Sequence, residues 1–392
     1  MTDSTYIKPL HLVMPLVEAM INMQFGSIDS AIPGLFGDAG IGKTANIRAM
    51  CERTGWNLLD IHYGLKPLEE ISGLPDFGKT VLVNNEEIKR TNWTLPDILG
   101  DAYKLAENGR PVIIFLDDFH TASPGNMALG YEMFTEKKLR GYPFPPNTAF
   151  ILAANVSGSK SLANPIPSPI INRIAQFNVS VDFESWKFNF AIQNKINKKI
   201  LAFLSNPKYQ QYFQSEEIVN KPWSSARSWT NFSTLLNATE QYAPQLLETL
   251  DIYYLASSFI DNEAALNFSK FYALFKEIDT VAIFNKESEF VLPTDIQKRF
   301  VAILACIDEF INLYTKSNVD FTQQIDLINI LSDIFIKTAE HNKELAVMGL
   351  KEILFLEKSL KLKGLYMKIE KTIFTLNSSL AKSICDDIVN LV

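Results

Sequence analysis

The chain has 392 residues, 47% of them apolar and 21% charged, enough for two or three globular domains with a sizeable core. Its net charge of −7 speaks against a surface built to hold nucleic acid nonspecifically, although a local basic patch stays compatible with it. No apolar run reaches the roughly 18 residues of a transmembrane span, MTDSTYIKPL lacks the pattern of a secretory leader, and the three cysteines and four histidines are too scattered for a zinc site. Cys51, Cys306 and Cys385 are therefore expected to be small buried hydrophobes of a reducing, cytoplasmic compartment.

Taken in chain order, Leu12, Leu16, Ala19 and Ile21 predict a helix ahead of the apolar run IPGLFG, and Ile47, Met50 and Cys51 predict another after it. GLFG, PVIIFLDD and TAFILAAN are short apolar runs closed by turn or polar residues, the pattern of parallel strands buried on both faces. GKTVLVNNEEIKR reads as two short strands around Asn84 and Asn85. Beyond DFESWKFNF the strands stop. Trp186, Phe190, Ile196, Ile200 and Phe203 recur at helical spacing, and FVAILACIDEFINLY, IDLINILSDIFI and LKEILFLEKSLKLKGLYMKI continue that period. The expected layout is an α/β domain over 1–180, a small helical domain over 181–246 and a helical extension over 247–392. LKLKGLYMKIEK, locally basic, is expected to be a solvated helix face rather than a membrane contact.

The stretch GLFGDAGIGKT satisfies Gly-x-x-x-x-Gly-Lys-Thr from Gly37 to Thr44. Glycines in such a loop let successive N–H groups converge on one anion, and the helix that follows adds the positive end of its dipole. Gly37, Asp38, Ala39, Gly40, Ile41, Gly42, Lys43, Thr44 and Ala45 are thus the expected phosphate cradle, with Lys43 reaching the β- and γ-phosphates of ATP and Thr44 ligating Mg²⁺. The second half of such a site is an apolar strand ending in an acid. Asp117 closes PVIIFLDD, where it would hold Mg²⁺ through water. Asp118 would orient or deprotonate the attacking water, or else cap the next turn. His120 lies nearby and is expected to be a surface residue. Asn155, at the end of TAFILAAN, either positions water near the γ-phosphate or caps a turn.

With these motifs in this order, the chain resembles an AAA+ ATPase, and within that superfamily the MoxR group. ISGLPDFG, the run from WTLPDILGDAYKL to ILAAN, IPSPIINRIAQFNV and WSSARSW resemble the family's segments from the second strand to the lid, over about residues 10 to 240. The resemblance implies an AAA+ P-loop core with a parallel sheet, an all-α lid and an all-α extension. It makes Asn155 the first sensor, Arg173 an arginine finger for the neighbouring subunit and Arg227, two residues before Trp229, the second sensor. For Arg173 and Arg227 an ordinary surface role is the alternative. GKTVLVNNEEIKR and KKLRGYPFPPNTAF would be hairpins lining a central pore. Two departures stand out: Asp117-Asp118 where the family has Asp-Glu, and Asn-Arg-Ile where it favours Arg-Phe.

The function implied is ATP hydrolysis with Mg²⁺ in a ring, expected to be hexameric, that remodels or activates a partner protein in a chaperone-like way. A von Willebrand factor A domain protein is a candidate partner. Two alternatives stay open: a nucleic-acid-linked AAA+ protein, such as an initiator, helicase loader or restriction-type motor, which Asp-Asp favours, and a slow ATP-dependent switch.

Overall fold

A computed structural model describes residues 7–25, 31–89, 91–155, 164–217, 220–316 and 319–389. Met1 to Tyr6 of the N-terminal stretch, Arg90 of the predicted hairpin and the residues directly after Asn155 lie outside the described residues, as does the side chain of Cys385. The chain divides into two compact units, Met1–Asp182 and Phe183–Val392.

The first unit is built on one sheet. Its strands are β1 (Lys8–Pro9), β2 (Ile32–Phe36), β3 (Asn57–His62), β4 (Val112–Asp117), β5 (Thr148–Ala154) and β6 (Ile174–Ser180), in the spatial order β1-β6-β2-β5-β4-β3. Every pairing is parallel. β4 and β5 are buried along their whole length, which is why they read as continuous apolar runs rather than alternating ones. Alternate residues feed opposite faces. Ile114, Leu116, Phe150 and Leu152 enter one core, with Leu99 and Ala102 of helix Asp97–Ala106 and Met127 and Met133 of helix Pro124–Glu136. Ile113, Phe115, Ile151 and Ala153 enter the other, with helices Leu10–Gln24 and Lys43–Thr54. The result is a three-layer α/β P-loop core.

The helix expected before the glycine loop is present, but its buried face differs from the one predicted. Leu10, Val13, Val17, Ile21 and Gln24 face the sheet, while Leu12 and Leu16 are more than half exposed. Leucines and methionines stand on both sides of this helix, so spacing alone did not select the stripe. Ile47, Met50 and Cys51 are buried as expected.

Two hairpins branch from this unit. Thr80–Val83 pairs antiparallel with Glu86–Lys89, and the turn residues Asn84 and Asn85 have φ of 52° and 68°. Lys138–Leu139 pairs with Tyr142–Pro143 around Arg140 and Gly141, at φ of 53° and 79°. Two central residues at positive φ match the right-handed twist of a two-residue hairpin, and asparagine and glycine tolerate that region best.

Among the described residues the second unit contains helices and no strand. Asp251, Asp261, Asp279, Asp295, Asp320 and Asn342 each cap a helix by accepting a backbone N–H, so one local device sets most of the helix starts. The ring of Phe203 stands 5.8 Å from Trp229, 5.4 Å from Phe268 and 5.5 Å from Phe271, an aromatic centre for this unit. The single helix expected through Trp186 to Phe203 is instead broken. Phe183–Trp186 and a π-turn at Lys187–Ala191 end before Lys195, which has φ of 54°, and Asn197 caps a new helix at Lys198–Ser205. LKEILFLEKSLKLKGLYMKI likewise forms two helices, Lys343–Leu360 and Leu365–Leu376, with Lys361 and Gly364 at positive φ between them. No described helix is long and apolar enough to cross a membrane.

Candidate nucleotide site

The glycine loop connects β2 to helix Lys43–Thr54, at the carboxyl end of the sheet where open α/β folds hold ligands. A Cβ at Gly37 would stand 2.4 Å from the carbonyl oxygen of Val179 and 2.6 Å from Ile41, so only glycine lets the loop leave the strand here. Gly42, at φ of 95°, reverses the backbone directly before the helix.

Lys43 is buried, and its Nζ donates to the carbonyls of Gly37 at 2.7 Å and Asp38 at 3.0 Å and to Oδ1 of Asn155 at 3.1 Å. The ammonium is thereby held over its own loop, in reach of an anion bound there. The Thr44 hydroxyl donates to Oδ2 of Asp117 at 2.7 Å, and the other carboxylate oxygen accepts the N–H of Asp118 at 2.9 Å. The loop, the end of β4 and the end of β5 thus meet through Lys43, Thr44, Asp117 and Asn155. Thr44 and Asp117 supply hard oxygen donors side by side. This suits Mg²⁺, which takes one or two protein oxygens and completes its octahedron with water and phosphate.

Asp118 sits just beyond, at φ of 51°. Its carbonyl accepts from the backbone and hydroxyl of Thr121, both at 2.9 Å, while its carboxylate makes no capping bond. The turn is held by the backbone instead, leaving the side chain for other work. Gly64 presses against this turn so closely that a Cβ there would overlap Oγ1 of Thr121.

His120 differs from expectation. It is 3% exposed, and its Nδ1 accepts the N–H of Asn155 at 3.2 Å. Burial lowers its pKa below the usual histidine value; the Asp118 carboxylate opposes that shift and Lys43 reinforces it. A lone histidine two residues past an acid gives no sequence signal of burial. Only the crowding of β4, β5 and the turn Phe119–Thr121 produces it.

Arg173 lies apart from this cluster. Arg173 is exposed and directly precedes β6, where its carbonyl accepts the N–H of Ile32 at 3.0 Å. That places it at the amino end of the strands. Gly37 lies beyond the carboxyl end of β2, six residues further along, about 20 Å away at strand rise. Its guanidinium lies 5.7 Å from the ring centroid of Tyr131. Arg227 is exposed on helix Ala226–Tyr242 of the second unit, next to the fully buried Trp229, whose indole N–H donates to the carbonyl of Tyr212.

No protein-family model and no curated protein sequence matches the chain. Among solved structures, the Thermotoga maritima RuvB Holliday junction branch migration motor is similar, at 11% identity and a TM-score of 0.33, over 74% of this chain and 83% of that one. A variant of the same protein aligns at 13% identity and a TM-score of 0.34, over 73% of this chain and 80% of that one. At these values the likeness carries no conclusion about activity. The class the chain's own geometry defines is a P-loop α/β core followed by an all-helical unit.

Proposed function

We propose that the chain is an AAA+ ATPase of MoxR type, which hydrolyses ATP with Mg²⁺ in a hexameric ring and uses the cycle to remodel or activate a partner protein. The carrying observation is the convergence of Lys43, Thr44, Asp117 and Asn155 at one end of the sheet, with Arg173 exposed at the other. The glycine loop and Lys43 hold the β- and γ-phosphates. Thr44 and Asp117 hold Mg²⁺, which neutralises charge on the transferred phosphoryl group. Asp118 takes the proton of the attacking water, and Asn155 fixes that water's position. Arg173 is too far along the strand to serve its own loop, so it serves the loop of a neighbour, and a lone subunit is incomplete. Arg227 serves as the second sensor, on a lid over 181–246, and the helical extension over 247–392 recruits the partner, for which a von Willebrand factor A domain protein is the candidate. The setting is cytoplasmic.

A nucleic-acid-linked AAA+ role is the second reading, favoured by Asp118 in place of glutamate. Binding to labelled duplex or single strand that falls steeply with salt supports it, and absence of such binding removes it. The primary reading is tested by ATP turnover per subunit against protein concentration with Mg²⁺ present. Turnover that rises with concentration, and is lost in Arg173→Ala while nucleotide still binds, is expected. Nucleotide binding with no turnover at any concentration would instead indicate a switch.

A further inference from the structure

We propose that His120 is a positioning residue for Asn155, fixing the end of β5 so that the Asn155 amide is presented to the reacting phosphate. This rests on the ATPase reading above.

Three observations carry it. First, the bond from the Asn155 N–H to Nδ1 of His120 spans 35 positions and joins the strand end bearing Asn155 to the turn directly after Asp118. Second, the carbonyl of the same histidine accepts the N–H of Asn164 at 2.8 Å, and the Asn164 side chain donates to the carbonyl of Ala122. The chain is therefore tied to the Phe119–Thr121 turn both where it leaves β5 and where it next enters the described structure. Third, the histidine is held at a cost. With Nδ1 acting as acceptor, the neutral ring carries its proton on Nε2, and that buried atom has no hydrogen-bond partner among the described residues. Packing alone would be served better by an apolar side chain, which leaves no buried donor unpaired. What leucine or phenylalanine cannot supply is an acceptor at the δ1 position. That acceptor sets the backbone of Asn155, whose side chain meanwhile holds Lys43. His120 thus acts through Asn155.

The test compares His120→Asn, which keeps an oxygen acceptor at the δ1 position, with His120→Leu, which keeps the bulk and removes the acceptor. In the full-length chain, His120→Leu is expected to lower kcat by about tenfold to a hundredfold, with the Kd for ADP changed by no more than about twofold. His120→Asn should recover most of that loss. His120→Leu combined with Asn155→Ala should be no slower than Asn155→Ala alone, because both act on one group. Hydrogen exchange at the Asn155 amide reads the bond itself, whether or not the protein turns over. It is expected to be slow in wild type and His120→Asn and faster in His120→Leu. Equal loss in both histidine variants, additive loss with Asn155→Ala, or unchanged exchange in His120→Leu would overturn the proposal. Absence of turnover in wild type would count against the ATPase reading, and the exchange result would still decide whether His120 holds Asn155.

Discussion

The side-chain amide of Gln24 and the backbone of Phe150 exchange two hydrogen bonds, Gln24 Nε2 to the Phe150 carbonyl and the Phe150 N–H to Gln24 Oε1, each 2.8 Å long. On that side of β5 the ladder with β2 runs only from Leu152 to Ala154. One amide, fully buried at the end of helix Leu10–Gln24, thus continues the ladder in place of a strand, and Lys137 secures it by donating to the Gln24 carbonyl. Gln24→Ala should cost roughly 2–4 kcal/mol, since it leaves a buried N–H and C=O unpaired in the central sheet. Urea unfolding monitored by circular dichroism checks this. A loss below about 0.5 kcal/mol would mean that water or relaxation replaces both bonds.

Asp118 is a second point at which backbone and chemistry meet. Its φ of 51° lies in the left-handed region, which aspartate visits more readily than glutamate. The aspartate at this place thus has a conformational reason beside the catalytic role proposed for it. Asp118→Asn keeps the turn and removes the proposed base, so kcat should fall by about a hundredfold or more with ADP affinity unchanged. Asp118→Glu should lose up to about 1 kcal/mol of stability to the backbone. If it nonetheless raises turnover, reach of the carboxylate limits the wild type. If it lowers turnover, the turn geometry limits it.

The glycine loop, Asp117 and Asn155 were legible in the sequence because their spacing is set by local backbone chemistry and by strands too apolar to be anything else. The Asn84-Asn85 turn was legible for the same reason. The burial of His120 and the amide of Gln24 were not, since each depends on a partner 35 or 126 positions away. The stripe of helix Leu10–Gln24 failed for a different reason: apolar residues on both sides leave the choice to the sheet. The break at Lys195 was missed because lysine at positive φ carries none of the signal that glycine would; at Lys361 the signal was present in Gly364, but the helical period continues on both sides of it.

Cys51 and Cys306 should resist alkylation in the folded protein. Burial pushes both thiols up to about 12 from the ordinary 9.0, with Glu52 and Glu309 adding to the shift. Near pH 8 almost none of either is thiolate, the reactive form. Between pH 9.0 and about 12 the unfolded chain releases these protons while the folded chain keeps them, so stability is fully present below pH 9.0 and falls as pH rises. Tyr63, also raised by burial, adds to the loss at higher pH. Iodoacetamide labelling mapped by peptide mass spectrometry, native against urea-unfolded, checks the first point. Rapid native labelling of Cys51 would show that the helix carrying it opens readily.

If Arg173, exposed at the amino end of β6 with the glycine loop at the opposite end of the sheet, serves a neighbour as proposed, mixed assemblies of two variants should show it. Subunits carrying Arg173→Ala keep a complete loop but supply no arginine. Subunits carrying Asp118→Asn supply the arginine but have no base. Each alone should be inactive. Mixed in equal amounts and allowed to exchange, they place a sound loop against a sound arginine at about a quarter of the interfaces of a head-to-tail ring. Turnover should therefore recover to roughly a quarter of the wild-type value if interfaces act independently, and to less if the ring fires in concert. Recovery of this kind cannot arise from a site contained within one subunit. No recovery from subunits shown to exchange would mean that the ring fires only in concert, or that the arginine acts in its own subunit or outside the reaction.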